Sequence, residues 1–168
     1  MIKQISVTFG SQGILEQIMK KYPERHMALF AAASNAHGMQ LVDYSGDESI
    51  FTSPVVYQVN AHAGNDDWEH YINYTEISPS KDQRQILDAK VSNFMSDPDT
   101  PAGMTGFYYL TAEGNSDSRI LLSLWKQQYD YMQWEKSPQH NFISYQTFKN
   151  DFTANYHEIG YQRFHPKA

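Results

Sequence analysis

Tyr131 and Trp134 stand three residues apart, just after a β-rich run that ends in Trp125, so their rings fall on one face of a helix. Large rings at a strand-to-helix junction either anchor the helix to the sheet or wall a flat apolar pocket for a planar guest. Asn73 adds a polar group to the same question. It lies between Ile72 and Tyr74 in a run of strand character, where asparagine is disfavoured. Its amide therefore needs a pocket partner or solvent at a sheet edge. Tyr71, Tyr74, Tyr108, Tyr109 and Tyr131 supply phenols that pack with a wet hydroxyl, donate to a bound carbonyl or share a proton.

Other chemistries are poorly served. The histidines, His26, His37, His62, His70, His140, His157 and His165, show no His-x-His or His-Glu-x-x-His spacing, so no metal site is expected. His140, in the first turn after Ser137-Pro138, reads from its position alone as a polar surface residue. Gly10-Ser-Gln-Gly13 is too short for a phosphate cradle and has no lysine, and no Gly-x-Ser-x-Gly elbow occurs. The absence of cysteine rules out disulfides, thiolate catalysis and cysteine-held metal, and fits a reducing cytoplasm. A formal charge of −6 without a basic stripe argues against nucleic acid as a partner. No run of about 18 apolar residues occurs, so neither a membrane segment nor a signal segment is expected.

Hydrophobic residues at 40% are enough for 168 residues to form a packed core. Ile5, Val7 and Phe9 alternate with polar neighbours, a half-buried strand ending at Gly10. Ile14, Leu15, Ile18 and Met19 mark a helix after Ser11. Strands follow over 27–33 and 39–44 around a turn at Asn35-Ala-His-Gly38. Ser53-Pro54 then reads as a capped start of a helix carrying Val56, Val59 and Ala63, closed by Gly64. The polar break at Gly64–Asp67 separates an N-terminal βαββα unit, residues 1–66, from residues 67–168. In the second unit, strands are expected over 69–77, 104–112, 119–125 and 155–164. A helix opens at Ser78-Pro79, the turn spans 113–117, and the Trp134 helix precedes the last strand. That βαββαβ order is the ferredoxin-like split βαβ arrangement of the α+β class, whose open sheet face needs a cover. The N-terminal unit repeats the order up to its second helix, and the two units are expected to stack as a pseudo-dimer within one chain.

The second unit, from Leu121–Trp125 through Trp134 and Ser137, resembles an antibiotic biosynthesis monooxygenase (ABM) domain. Over the full length the chain is more similar to the TRAP and HmoB group of that superfamily. Thr8-Phe9-Gly10, Lys20-Lys21-Tyr22-Pro23, Ser45-Gly46-Asp47 and Ser53-Pro54 with Tyr57-Gln58-Val59 carry that likeness. The resemblance implies a dimeric α/β-barrel topology and, in the HmoB-like branch, oxidative haem degradation. It places a distal hydrogen-bonding asparagine at Asn73 and a porphyrin-distorting tryptophan at Trp134. The axial histidine position, ten residues after the tryptophan, is Ser144 here, and a hydroxyl is a poor axial ligand. His140 stands about one turn early and reaches iron only if the helix changes register at Pro138. Two functions follow as expectations. One is a monooxygenase, either haem-binding or cofactor-independent, acting on a small molecule. The other is a non-catalytic TRAP-like binding or stress-regulatory protein. Either is expected as a monomeric pseudo-dimer or a homodimer.

Overall fold

Residues 2–33, 38–151 and 154–166 are described by the computed structural model. Their strands are β1 (Gln4–Gly10), β2 (Met27–Ala32), β3 (Met39–Asp43), β4 (Val55–Gly64), β5 (Tyr71–Ile77), β6 (Met104–Ala112), β7 (Asn115–Trp125) and β8 (His157–Arg163). Helices α1 (Gln12–Lys21), α2 (Lys81–Ser96), α3 (Gln128–Glu135) and α4 (Tyr145–Phe148) join them, with a 3-10 turn at Pro138–Ile143. The strands close into one antiparallel barrel in the order β1-β3-β2-β8-β5-β7-β6-β4. Each half contributes the same local order, β4-β1-β3-β2 and β8-β5-β7-β6. The seams are β2 with β8, where Ala32 faces Tyr161, and β4 with β6, where Tyr57 faces Ala112. A single chain thus builds the ferredoxin-like pair of sheets, and each covers the other's open face.

One element differs from expectation. Residues 55–64, read above as the second helix of the N-terminal half, form strand β4, so that half is βαβββ. Proline at the first helical position is a local cue, but Val55, Val56, Tyr57 and Val59 favour a pleated surface. Ladder partners on both sides, β1 and β6, satisfy the strand's backbone in a way no isolated helix turn could match. The pairing shifts between Val59 and Ala61. Tyr57 and Val59 therefore pack in the lumen while Ala61 packs outside it.

Smaller differences are matters of register. β7 starts at Asn115 rather than Arg119, because Ala112 pairs with Asn115 across a two-residue turn, Glu113-Gly114. Gly114 adopts φ +83°, a conformation that tight hairpins require. Helix α2 begins at Lys81 after Ser80 instead of directly at Pro79. The turn expected at Asn35–Gly38 lies, except for Gly38, outside the described residues.

The barrel divides the apolar residues into two main cores. Inward side chains, among them Ile5, Phe30, Ile72, Tyr108 and Leu122, fill the lumen. Outward ones from β5, β6 and β7 meet α2, α3 and the 3-10 turn through Phe107, Leu121, Trp125, Leu87, Val91 and Trp134. A smaller group under α1 joins Leu15 to Leu29, Leu41 and Phe51. Strand β5 is covered on both faces, which is why its polar residues have to be explained.

Candidate functional site

Strands β5 and β8 run side by side with Asn73 opposite Gly160. The row facing the helices is Tyr71, Asn73 and Thr75 on β5, and Glu158 and Gly160 on β8. Gly160 leaves room for Tyr71, whose hydroxyl lies where a Cβ would stand. The Asn73 amide donates to the Tyr71 hydroxyl and to Glu158 Oε1, each at 3.4 Å, and its Oδ1 accepts from Thr75 at 3.4 Å. These are long bonds, at the outer limit of useful geometry.

Glu158 is the centre of the group. Tyr131 donates to its Oε1 at 2.6 Å and also approaches Glu135 Oε2 at 3.1 Å. Tyr156 reaches its Oε2 at 3.5 Å. Burial raises the Glu158 carboxyl above the usual carboxylate range; the Tyr131 hydrogen bond opposes this and the neighbouring Glu135 carboxyl adds to it. The Tyr131 phenol is pushed far up by burial and then by the Glu158 charge, so it remains a donor.

A cleft of about 270 Å³ opens beside this group, lined by Glu135, His140, Ser144, Tyr145, Tyr156 and Glu158. Pro138 has no N–H and starts a 3-10 turn, so the helix carrying Trp134 stops at Glu135 and the chain re-enters at a new angle. That turn buries His140 to 3% exposure, not the surface position its place in the sequence suggested. Its ring meets that of Trp134 edge-on at 4.7 Å, and its Nε2 has no hydrogen-bond partner among the described residues. Burial lowers the His140 pKa, so the imidazole stays neutral near pH 7. The Ser144 hydroxyl bonds to the Asn141 carbonyl and meets Thr147 Oγ1, both at 3.2 Å, at the start of α4.

Trp134 does not line the cleft. It is 4% exposed and packs at 5.3 Å from Trp125 and 5.7 Å from Phe94, with Tyr131 and His140 closing its other sides. The space beneath the indole, expected to take a planar guest, is filled by these rings. The fold therefore joins Asn73, His140 and Ser144 around Glu158 and sets Trp134 behind them in the core.

No family model matches the sequence. Solved structures do. A ferredoxin-fold protein from Listeria monocytogenes, described as related to antibiotic biosynthesis monooxygenases, is 19% identical, with a TM-score of 0.82 over 98% of this chain and 96% of that one. A structure described as a major regulator of staphylococcal pathogenesis is 18% identical, with a TM-score of 0.80 over 97% of this chain and 100% of its own. A heme-degrading enzyme from Listeria monocytogenes is 18% identical, with a TM-score of 0.75 over 95% and 99%. The chain shares the ferredoxin-like fold of these proteins.

Haem is the cofactor that this fold brings into question. His140 offers a suitable ligand atom, a buried and unpartnered neutral nitrogen. The surroundings do not fit the rest of the group. About 270 Å³ is at the lower limit of small-molecule sites, and a porphyrin is a large planar guest. Among the described residues two carboxyls, Glu135 and Glu158, line the cleft and no lysine or arginine does, so the charges of haem's own carboxylates would meet like charge.

Glu158, Glu135 and Tyr156 were missed in reading the sequence. The signal was present in strand β8: His157, Ile159 and Tyr161 alternate with Glu158, which puts a carboxylate on the face that helices cover. What could not be read was that α3 would bring a second carboxylate and a phenol onto the same spot.

Proposed function

We propose that the cleft beside Glu158 is the active site of a cofactor-independent monooxygenase acting on a small, acidic-C–H or phenolic substrate. The observation that supports this most is a half-buried carboxyl of raised pKa, held by Tyr131 and Asn73 and open to a ligand-sized space. Glu158 takes a proton from the substrate carbon or hydroxyl. Tyr131, Tyr156 and the Asn73 amide hold the carboxyl in place. The electron-rich anion then reacts with dioxygen: one oxygen atom becomes the new carbonyl, and the other leaves as water with the two hydrogens removed from the substrate.

Oxygen uptake with anthrone as probe, followed with an electrode, tests the proposal. Wild-type protein should consume oxygen, and Glu158→Gln should lower the rate by about 10²–10⁴-fold, the usual worth of a positioned base. No uptake, or uptake unchanged in Glu158→Gln, overturns it.

A second reading is ligand binding without turnover, as in a regulatory module. It is supported by the filled space beneath Trp134 and by the likeness to the staphylococcal regulator over 97% of this chain. Under that reading anthrone-like guests perturb the fluorescence of Tyr145 and Tyr156, which line the cleft, but no oxygen is consumed.

A further inference from the structure

A second cavity lies elsewhere, at one mouth of the barrel. It holds about 340 Å³, within the range of small-molecule sites, and is built from inward-facing side chains at the ends of the strands. Tyr57, Tyr74 and Tyr161 surround it. The ring of Tyr74 stands 6.3 Å from Tyr57 and 5.8 Å, edge-on, from Tyr161. Gln40 is 1% exposed; its carbonyl accepts from the Tyr74 hydroxyl at 3.2 Å, while its Nε2 has no partner among the described residues. Glu76 and His157 stand nearer solvent, paired across β5 and β8.

These features favour one kind of guest. Burial, followed by the Glu76 and Tyr161 charges, pushes the Tyr57 phenol up, and burial does the same for Tyr74 and Tyr161. The three rings are therefore neutral, with electron-rich faces, and among the described residues no lysine or arginine lines the cavity beside the Glu76 carboxylate. An anion is disfavoured there. A bare metal ion is also poorly served, since among the described residues Glu76 is the one carboxylate in the lining and hard cations need six or more oxygens. An organic ammonium, weakly hydrated and matched to ring faces, suits the walls. The unpartnered Gln40 N–H deeper in the cavity adds a requirement, because leaving a buried donor unmade is costly. The guest must also carry an acceptor oxygen.

We propose that this barrel mouth binds a small organic ammonium bearing a hydroxyl or ether oxygen. The tyrosine rings and Glu76 hold the cation, and Gln40 Nε2 donates to the oxygen. This site is separate from the Glu158 cleft, because Glu76 and Glu158 face opposite sides of the barrel wall.

Calorimetric titration with choline chloride, and with its uncharged isostere 3,3-dimethyl-1-butanol, tests the proposal. Choline should bind in the millimolar range or tighter and shift the Gln40 side-chain amide resonances. The isostere should bind at least about tenfold more weakly, the worth of a partly desolvated cation–ring contact. Glu76→Gln, a change near the rim that circular dichroism should show to be folded, should weaken choline about fivefold or more. Glu158→Gln should leave choline affinity unchanged. Equal binding of the isostere, no binding of choline at millimolar concentration, or loss of binding with Glu158→Gln but not Glu76→Gln overturns it. The oxygen-uptake assay reads the other site, so failure of one proposal is distinguishable from failure of the other.

Discussion

Replacing Trp134 by phenylalanine separates a packing role from a chemical one. The indole is 4% exposed among Trp125, Phe94, Tyr131 and His140, and its Nε1 has no acceptor. Phenylalanine keeps one aromatic ring against these neighbours and gives up about 40 Å² of apolar contact, which at about 25 cal/mol per Å² costs ~1 kcal/mol. The same change removes a buried, unsatisfied N–H, whose cost is about 1–3 kcal/mol. The two terms offset, so Trp134→Phe should lie within ~1 kcal/mol of wild type, with the packing loss reduced further by small adjustments of Phe94. Trp134→Ala keeps nothing of the ring and should lose about 3–5 kcal/mol. Urea unfolding followed by circular dichroism measures both. A loss above ~3 kcal/mol for Trp134→Phe would refute the reasoning, since it would mean that the N–H has a partner. A loss below ~1 kcal/mol for Trp134→Ala would show that the indole is not core.

Three further outcomes are expected. Because the folded-state pKa of Glu158 is raised, the native protein binds the extra proton, and stability falls as pH rises from about 4.3 through the raised value. Thermal melts should therefore show Glu158→Gln gaining on wild type between pH 4 and pH 8, and a difference independent of pH would count against the shift. Gly160→Ala drives a methyl into the Tyr71 hydroxyl and should cost about 1–3 kcal/mol, with Tyr71→Phe recovering part of it in the double variant; strict additivity would contradict the contact. Hemin added to the protein should keep the absorption of free hemin. A shifted Soret band that disappears in His140→Ala would show that the acidic cleft rearranges to accept a porphyrin.

The strands β1, β2, β3, β5, β6 and β8 were legible as short apolar runs between turn signals, and β1 also from Ile5 and Val7 alternating with polar neighbours, although Ser6 is buried with them and Phe9 is exposed. Strand β4 was misread. Its Ser53-Pro54 start is a helix cue acting over one turn, whereas the reason for a strand, two neighbours needing ladder partners, lies at β1 and β6, which are distant in sequence. Asn73 was legible as a residue needing a partner, since a polar group in a doubly covered strand must be satisfied. The partner itself, Glu158, is 85 residues away.

Sequence alone determined the α+β class, the strands other than β4 and Asn73 as a polar group that needs a partner. Propensity and periodicity are local properties, and they act on each segment wherever it ends up. Tertiary structure decided that Trp134 packs as core, that His140 is buried by the Pro138 turn, and that Glu135, Glu158, Tyr145 and Tyr156 meet at one cleft. It also closed a lumen whose mouth collects Tyr57, Tyr74 and Tyr161 from three strands. Burial and proximity, which shift a carboxyl's proton affinity or leave an amide without a partner, arise only once remote segments exclude water from the same place.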